Sequence, residues 1–262
     1  MKRPSPLLHN INGTSFLYPF ILVTSLFFLW GFAHSILDVL NKHFQDILHV
    51  SKAQSGLVQA AVYGGYFLAA IPAGLFMKRF GYRSGIILGL LTYAAGAFLF
   101  LPAIQIGQFW AFLTALFIIA IGLTALETAA NPYATVLGPS ERSAQRLNLA
   151  QSFNGLGWIV GPLVGSLILF AGAGEENKFA SLAIPYTAIG LIVLLVAILF
   201  IKVKLPEIEN EEIAATNTTA KRPLWKRPLF VAAVMAQFFY GAAQTGINSF
   251  FINYTLYIFH ET

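Results

Sequence analysis

The 262-residue sequence contains no cysteine. It therefore offers no disulfide, no thiolate nucleophile and no cysteine-ligated zinc, and redox chemistry says nothing about its compartment. Charge is nearly as scarce: 10% of residues are Asp, Glu, Lys or Arg, against about 25% in a soluble domain. A solvated globular surface cannot be built from so few charges, which excludes an ordinary soluble enzyme. The net charge of +5 would suit nucleic acid, but the placement of the basic residues gives a better account. Apolar residues take the place of charge. They make up 57% of the chain, with 24 Phe, in long runs separated by short polar or Gly/Pro breaks, the pattern of an all-α polytopic membrane protein.

Seven runs are long enough to cross a hydrocarbon core, which needs about 20 apolar residues in a helix. They cover 17–45, 54–77, 84–104, 109–137, 147–171, 181–202 and 228–258. With the N-terminus cytoplasmic, that side holds Lys2, Arg3, Lys78, Arg79, Arg83, Arg142, Arg146, Lys202, Lys204, Lys221, Arg222, Lys226 and Arg227, which is 13 of the 16 basic residues. Lys42, Lys52 and Lys178 fall on the other side, an asymmetry expected of a correct span count and orientation. Lys2, Arg3 and the apolar region from Phe16, with Gly31 and Ala33 as small residues, have a rival reading as a signal peptide. The region is too long and too aromatic for an h-region, so the first span is kept. The stretch from Lys204 to Pro228 has four Glu, then Asn, Thr and Ala, then a basic cluster, and reads as a flexible cytoplasmic linker.

A carboxylate at the centre of a spanning helix costs about 2.5–3.5 kcal/mol on insertion scales, so it normally faces a protein interior or a water-filled cavity. Of 11 acidic residues, two fall within the seven runs, Asp38 and Glu127. Each belongs to a polar stripe at helical spacing. His34, Asp38, Asn41 and Gln45 form one in the first run, and Thr124, Glu127, Thr128, Asn131 and Thr135 another in the fourth. Asn148, Gln151 and Ser152, with Asn154 close by, continue the pattern in the fifth, and Tyr240, Gln244 and Asn248 in the seventh. Four such stripes suit a shared cavity for a polar ligand. The competing account is that the Asn, Gln, Ser and Thr side chains merely join helices, at about 0.6 kcal/mol each. Asp38 has a further alternative as an interfacial residue at the outer end of its helix. Gly81, Gly85 and Gly89, and Gly157, Gly161 and Gly165, recur every four residues and read as helix-packing seams.

The segments FFLWGFAHSILDVLNKHFQ, AGLFMKRFGYRSGI, LETAANPYATVLG and RLNLAQSFNGLG resemble the fucose permease branch of the major facilitator superfamily, the sugar:proton symporters. The resemblance covers essentially the whole chain. It implies the major facilitator fold, with twelve helices in two six-helix halves around a central cavity and each half made of two inverted three-helix repeats. On that pattern residues 1–203 are the N-terminal half, 204–227 the linker and 228–262 the first helix of the second half. By resemblance Asp38 is the proton-coupling carboxylate, with His34 one turn away to tune it. Glu127, Asn131, Gln151 and Asn154 lie in the sugar cavity, which Asn148, Ser35, Gln244 and Asn248 extend. His34 and Ser35 stand where the fucose permease has two Asn, so the sugar carried could differ.

The expected partners are a monosaccharide, protons and the lipid bilayer, with no cofactor, no metal and no nucleic acid, in a multi-pass protein of the plasma (inner) membrane. The sequence ends at Thr262, after the seventh run, so a truncated form that does not transport stays open as an alternative. So does a major facilitator exporter of another small polar solute, although efflux cavities are mostly apolar and the amides here suit hydroxyl groups. An intramembrane enzyme is disfavoured, because the sequence has no HExxH motif and no recognisable base for a Ser nucleophile.

Overall fold

The computed structural model describes residues 7–8, 15–48, 50–171, 180–203 and 224–261. The linker up to Arg222, Lys2, Arg3 and Lys178 lie outside the described residues, as do the side chains of Asp38, Asn41, Lys42 and Asn248. The chain divides into two compact units, Met1–Glu207 and Ile208–Thr262.

The first unit comprises α1 (Leu17–Leu48), α2 (Lys52–Phe98), α3 (Phe100–Ile106), α4 (Phe109–Val136), α5 (Ser143–Ala171) and α6 (Ala180–Lys202). α1 runs three residues past the expected end at Gln45. It therefore also takes in Asp46, a third acid on a helix whose neighbours suggested one. α2 opens with a capping box: the Ser51 hydroxyl accepts from the Gln54 amide at 3.2 Å, and the Ser51 amide donates back to the Gln54 side chain at 2.9 Å.

As a straight rod, α2 would be about 70 Å long, more than twice a bilayer core of about 30 Å. It is two arms. Gly81 sits at φ 81°, ψ 165°, a conformation essentially reserved for glycine, inside what is otherwise continuous helix. The reversal there is visible in what each arm touches. A Cβ on Gly65 of the first arm would lie 2.8 Å from Ala120, and one on Gly96 of the second would lie 2.6 Å from the Ile119 amide. Residues 31 apart in α2 thus meet adjacent residues of α4, whereas a straight helix would separate them by about 46 Å. The second arm stops at Phe98 because Pro102 lacks an N–H and its ring opposes the carbonyl four residues back. The chain resumes directly as α3, so the expected third span at 84–104 is the second arm plus α3.

Five described stretches are long and apolar enough to cross a membrane: Leu17–Ile36, Ala53–Ile106, Phe109–Val136, Ala183–Lys202 and Pro228–Ile247. The second of these counts twice, once for each arm. α5, whose last residues have side chains outside the described residues, is 29 residues long, enough for a crossing.

Packing follows an exchange pattern. α1 lies chiefly against α5, and α2 chiefly against α4. Swapping the first three spans with the second three maps one contact onto the other, the arrangement an inverted repeat produces. Both contacts are made by close backbone approach. A Cβ on Gly157 would collide with the Phe28 carbonyl and come 2.6 Å from the Phe32 amide, and one on Gly161 would overlap the Ser35 hydroxyl. No side chain larger than hydrogen fits that seam, so α1 and α5 touch backbone to backbone.

Two helix ends, those of α4 and α6, are closed by arginines. Arg83, just past the fold-back, donates to the carbonyls of Phe200 at 3.3 Å and Ile201 at 2.7 Å, satisfying the end of α6. Arg146 is fully buried and spends every N–H it has on carbonyls. Nε donates to Ala134 at 3.2 Å, one terminal nitrogen to Leu7 at 3.3 Å and Pro139 at 2.9 Å, and the other to Thr135 and to Gly138 at 3.3 Å. The topology signal read from this residue is thus also a plug at the end of α4.

The second unit contains α7 (Pro228–Glu261), preceded by a short 3-10 turn at Leu224–Lys226. Trp225 packs edge-on against Phe230 at 5.6 Å beside Lys226 and Arg227, the residue mix of a membrane interface.

Candidate functional site

α1, the first arm of α2, α4 and α5 converge on a polar cluster lined with aromatic rings. Its centre is the Tyr66 hydroxyl, which accepts from Trp30 Nε1 at 2.6 Å and lies 2.8 Å from His34 Nε2. Trp30 and His34 are one helical turn apart on α1, so the arrangement follows from i, i+4 spacing meeting a single residue on α2. The imidazole is boxed by rings: Trp30 edge-on at 5.5 Å, Tyr66 at 5.3 Å, Tyr63 at 6.4 Å, and Trp158 of α5 nearly parallel at 6.2 Å. Tyr63 and Trp158 keep 44% and 36% of their surface exposed, so the box is open on one side.

Glu127 borders this box. It lines a crevice with Leu26, Phe27, Trp30, Ala130 and Asn131. Its carboxylate is half-buried and accepts no hydrogen bond from any described residue. Asn131, one turn on, donates to the Glu127 backbone carbonyl at 3.1 Å and accepts from the Gln151 amide of α5 at 3.2 Å. Gln151 and Asn131 therefore link α5 to the backbone of α4 at Glu127, and the carboxylate lies beside this line without being bonded into it.

The other expected residues divide by what holds them. Thr124, Thr128 and Thr135 turn their hydroxyls back onto their own helix, to Ala120, Thr124 and Pro132, each at 2.7 Å. Their donors are spent on the backbone. Ser35 is 1% exposed and donates to Phe32 at 3.0 Å and across to Gly157 at 3.2 Å. Asn154 is 8% exposed and donates to the Phe27 carbonyl at 3.2 Å. Ser35 and Asn154 thus pin α1 to α5 beneath the site. Gln45 donates to the buried Ser55 at 2.9 Å and joins α1 to α2. Asn148 is exposed near the start of α5, and Gln244 is exposed on α7 in the second unit. Asp38 and Asn248 lie on helices, α1 and α7, with side chains outside the described residues.

Reading the sequence for amides and carboxylates missed Trp30, Tyr63, Tyr66 and Trp158. A signal was present: Trp30 and His34 at i, i+4, and Tyr63 and Tyr66 at i, i+3, put polar-edged rings on single helix faces. Among the described residues, no group of three or more His, Asp or Glu could hold a metal ion. The arrangement offers an ionisable acceptor, an amide pair and flat ring faces, the means of holding a polyhydroxylated molecule with apolar C–H faces.

Residues 20–262 match the model of the Major Facilitator Superfamily. The chain is 39% identical over 272 residues to the L-fucose-proton symporter of Escherichia coli, covering 94% of this chain and 61% of that protein. It is 35% identical over 252 residues to the glucose/galactose transporter of Brucella abortus, with the same coverage. The chain thus spans about three fifths of the length of these relatives. Among solved structures, the transporter FucP in its outward conformation superposes with a TM-score of 0.69 at 41% identity, over 92% of this chain and 63% of that one. The E. coli xylose transporter XylE, inward open, shares the fold at a TM-score of 0.57 and 16% identity. With the family model matched from Phe20 to the last residue and the fold shared, the chain belongs to the Major Facilitator Superfamily.

Proposed function

We propose that this chain provides the N-terminal sugar-binding half of a proton-coupled monosaccharide transporter working by alternating access. The observation that carries this reading is the Glu127 carboxylate, half-buried, without a hydrogen-bond partner among the described residues and beside the Trp30 ring. Leaving such a group without a partner is costly unless a ligand or water supplies one. Sugar hydroxyls donate to carboxylates and amides, and the apolar face of a hexose lies flat on an indole, so Glu127, Asn131 and Gln151 hold the hydroxyls while Trp30 and Trp158 cover the ring. Asn148 extends the polar lining of this half, Gln244 and Asn248 are polar contributions of the following half, and Ser35 and Asn154 keep α1 and α5 in register. Fucose, glucose and galactose, which the relatives' names give, are the sugars to try first. Asp38 takes and releases the coupling proton, tuned by His34 one turn away, an assignment supported by the stripe on α1. The N-terminus and the linker at 204–227 are cytoplasmic in a protein of the plasma membrane surrounded by lipid, an orientation supported by the 13 to 3 division of basic residues. The half at 1–203 and the helix at 228–262 belong to successive halves of the family's fold.

Trp30 and Trp158 flank the site, so tryptophan fluorescence of the purified chain titrated with L-fucose, D-galactose and D-glucose reads binding directly. Glu127→Gln keeps the shape and removes the charge. It should weaken binding by roughly tenfold to a hundredfold, since a hydrogen bond to a charged group contributes about 1.5–3 kcal/mol. Unchanged affinity in Glu127→Gln would remove the glutamate from the ligand site.

A further inference from the structure

On the far side of α4 from the aromatic box, the two arms of α2 part to leave a groove bordered by Pro72, Phe76, Leu88, Thr92, Ile121 and Ala125. It encloses about 580 Å³ counted to its open mouth. Small residues create the space: Ala69 and Ala73 on one wall, and Gly85 on the other, with Pro72 interrupting the backbone bonding of the first arm. The groove offers a ligand no free side-chain hydrogen-bond donor. Its single hydroxyl, on Thr92, donates to the Leu88 carbonyl of its own helix at 2.8 Å. Water gains nothing there, and neither does a sugar, so the occupant is hydrocarbon.

One end of the groove says which hydrocarbon. The wall of Pro72 and Phe76 continues into Phe80, whose ring lies 4.7 Å from that of Phe76, and the Arg79 guanidinium is held over Phe80 at 5.2 Å from the centroid. Lys78 and Arg79 are exposed at this end, whereas the neighbouring Arg83 is committed to the carbonyls of α6. From Ala69 to Met77 the groove follows about 12 Å of helix, which fits inside one leaflet of about 15 Å. We propose that this groove is a binding site for an anionic phospholipid, one acyl chain lying between the arms of α2 and the phosphate paired with Arg79 and Lys78. The proposal rests on the membrane-embedded reading of the chain and is independent of the sugar site.

The test reconstitutes the chain in nanodiscs doped with phosphatidylglycerol or phosphatidylcholine carrying a photoreactive diazirine in the acyl chain, then maps the labelled peptides. Phosphatidylglycerol should label residues 69–77 and 85–92 in preference to phosphatidylcholine, by roughly fivefold for each of the two charges. Lys78→Gln with Arg79→Gln, both exposed, should bring the two lipids level. Ala73→Trp, which fills the groove, should abolish labelling by either. Equal labelling of both lipids in the unaltered chain, labelling confined to other peptides, crosslinks to a second copy through these segments, or labelling that survives Ala73→Trp would each overturn the site. Should Ala73→Trp fail to fold, the charge variant still decides. Glu127→Gln serves as the separating control: sugar binding lost with lipid labelling intact leaves this proposal standing whatever becomes of the transport reading.

Discussion

His34 Nε2 lies 2.8 Å from the Tyr66 hydroxyl, and Trp30 Nε1 donates to the same oxygen at 2.6 Å. A single phenol oxygen therefore holds two rings of α1 against α2. Tyr66→Phe keeps the ring and deletes the oxygen, leaving an indole N–H and an imidazole nitrogen unpaired. It should cost about 1–3 kcal/mol of stability, read by thermal denaturation in detergent. In a double-mutant cycle with His34→Ala, the coupling should be about 0.5–3 kcal/mol. Simple additivity would show that the contact contributes nothing.

Two glycines one half-turn apart on α5 should respond in opposite directions. A Cβ on Gly157 meets the backbone of α1, while one on Gly155 meets nothing within 4 Å. Gly157→Ala should destabilise by about 1–3 kcal/mol through overpacking. Gly155→Ala should stabilise by up to about 1 kcal/mol through helix propensity. Similar shifts for both, measured side by side, would contradict the backbone seam.

Arg146→Gln removes most of a set of five hydrogen bonds around the end of α4. Several buried carbonyls lose their donors at once, and a loss of about 3 kcal/mol or more is expected. Arg146→Lys should not rescue it, because an ammonium offers three donors from one point where the guanidinium offers a planar fork. Full recovery of melting temperature in Arg146→Lys would mean that charge alone is required.

Because the chain has no native cysteine, single cysteines give a clean topology measurement. In intact cells an impermeant thiol reagent should reach Asn177→Cys and spare Asn217→Cys. The reverse pattern would invert the proposed orientation.

Asp38→Asn imitates the protonated carboxyl and cannot titrate. In proteoliposomes, a complete transporter of the proposed kind carrying this change should retain sugar counterflow and lose accumulation driven by a pH gradient. Accumulation that persists in Asp38→Asn and disappears in His34→Ala would move the proton site to the histidine.

The helices and the polar stripes that hold Glu127 and Asn131 on α4 and Gln151 on α5 are legible in the sequence because they depend on local spacing. Apolar length gives the spans 54–77 and 84–104, but Gly81, which reads as a packing residue, is instead the fold-back between them. Tertiary register was not legible. Whether Asn154 reaches ligand or the Phe27 carbonyl depends on where α5 slides against α1, which helical spacing within α5 does not encode. The aromatic box was hidden for the same reason: its rings come from α1, α2 and α5, and an abundance of aromatics across the chain masks the four that meet. Arg146 reads in the sequence only as one of the basic residues that set orientation, because the carbonyls that surround it come together only in the packed structure.

The plug at Arg146 shares with the Arg83 contact a chemical character that the Glu127 site lacks. Its guanidinium does not deprotonate in proteins and its partners are all backbone carbonyls, which do not titrate either. No carboxylate takes part, so acidification cannot release it by protonating a partner. A protein proposed to cycle protons through one end of its bundle thus has the end of α4 closed by a contact that is blind to pH, which confines proton-driven rearrangement to the carboxylates elsewhere.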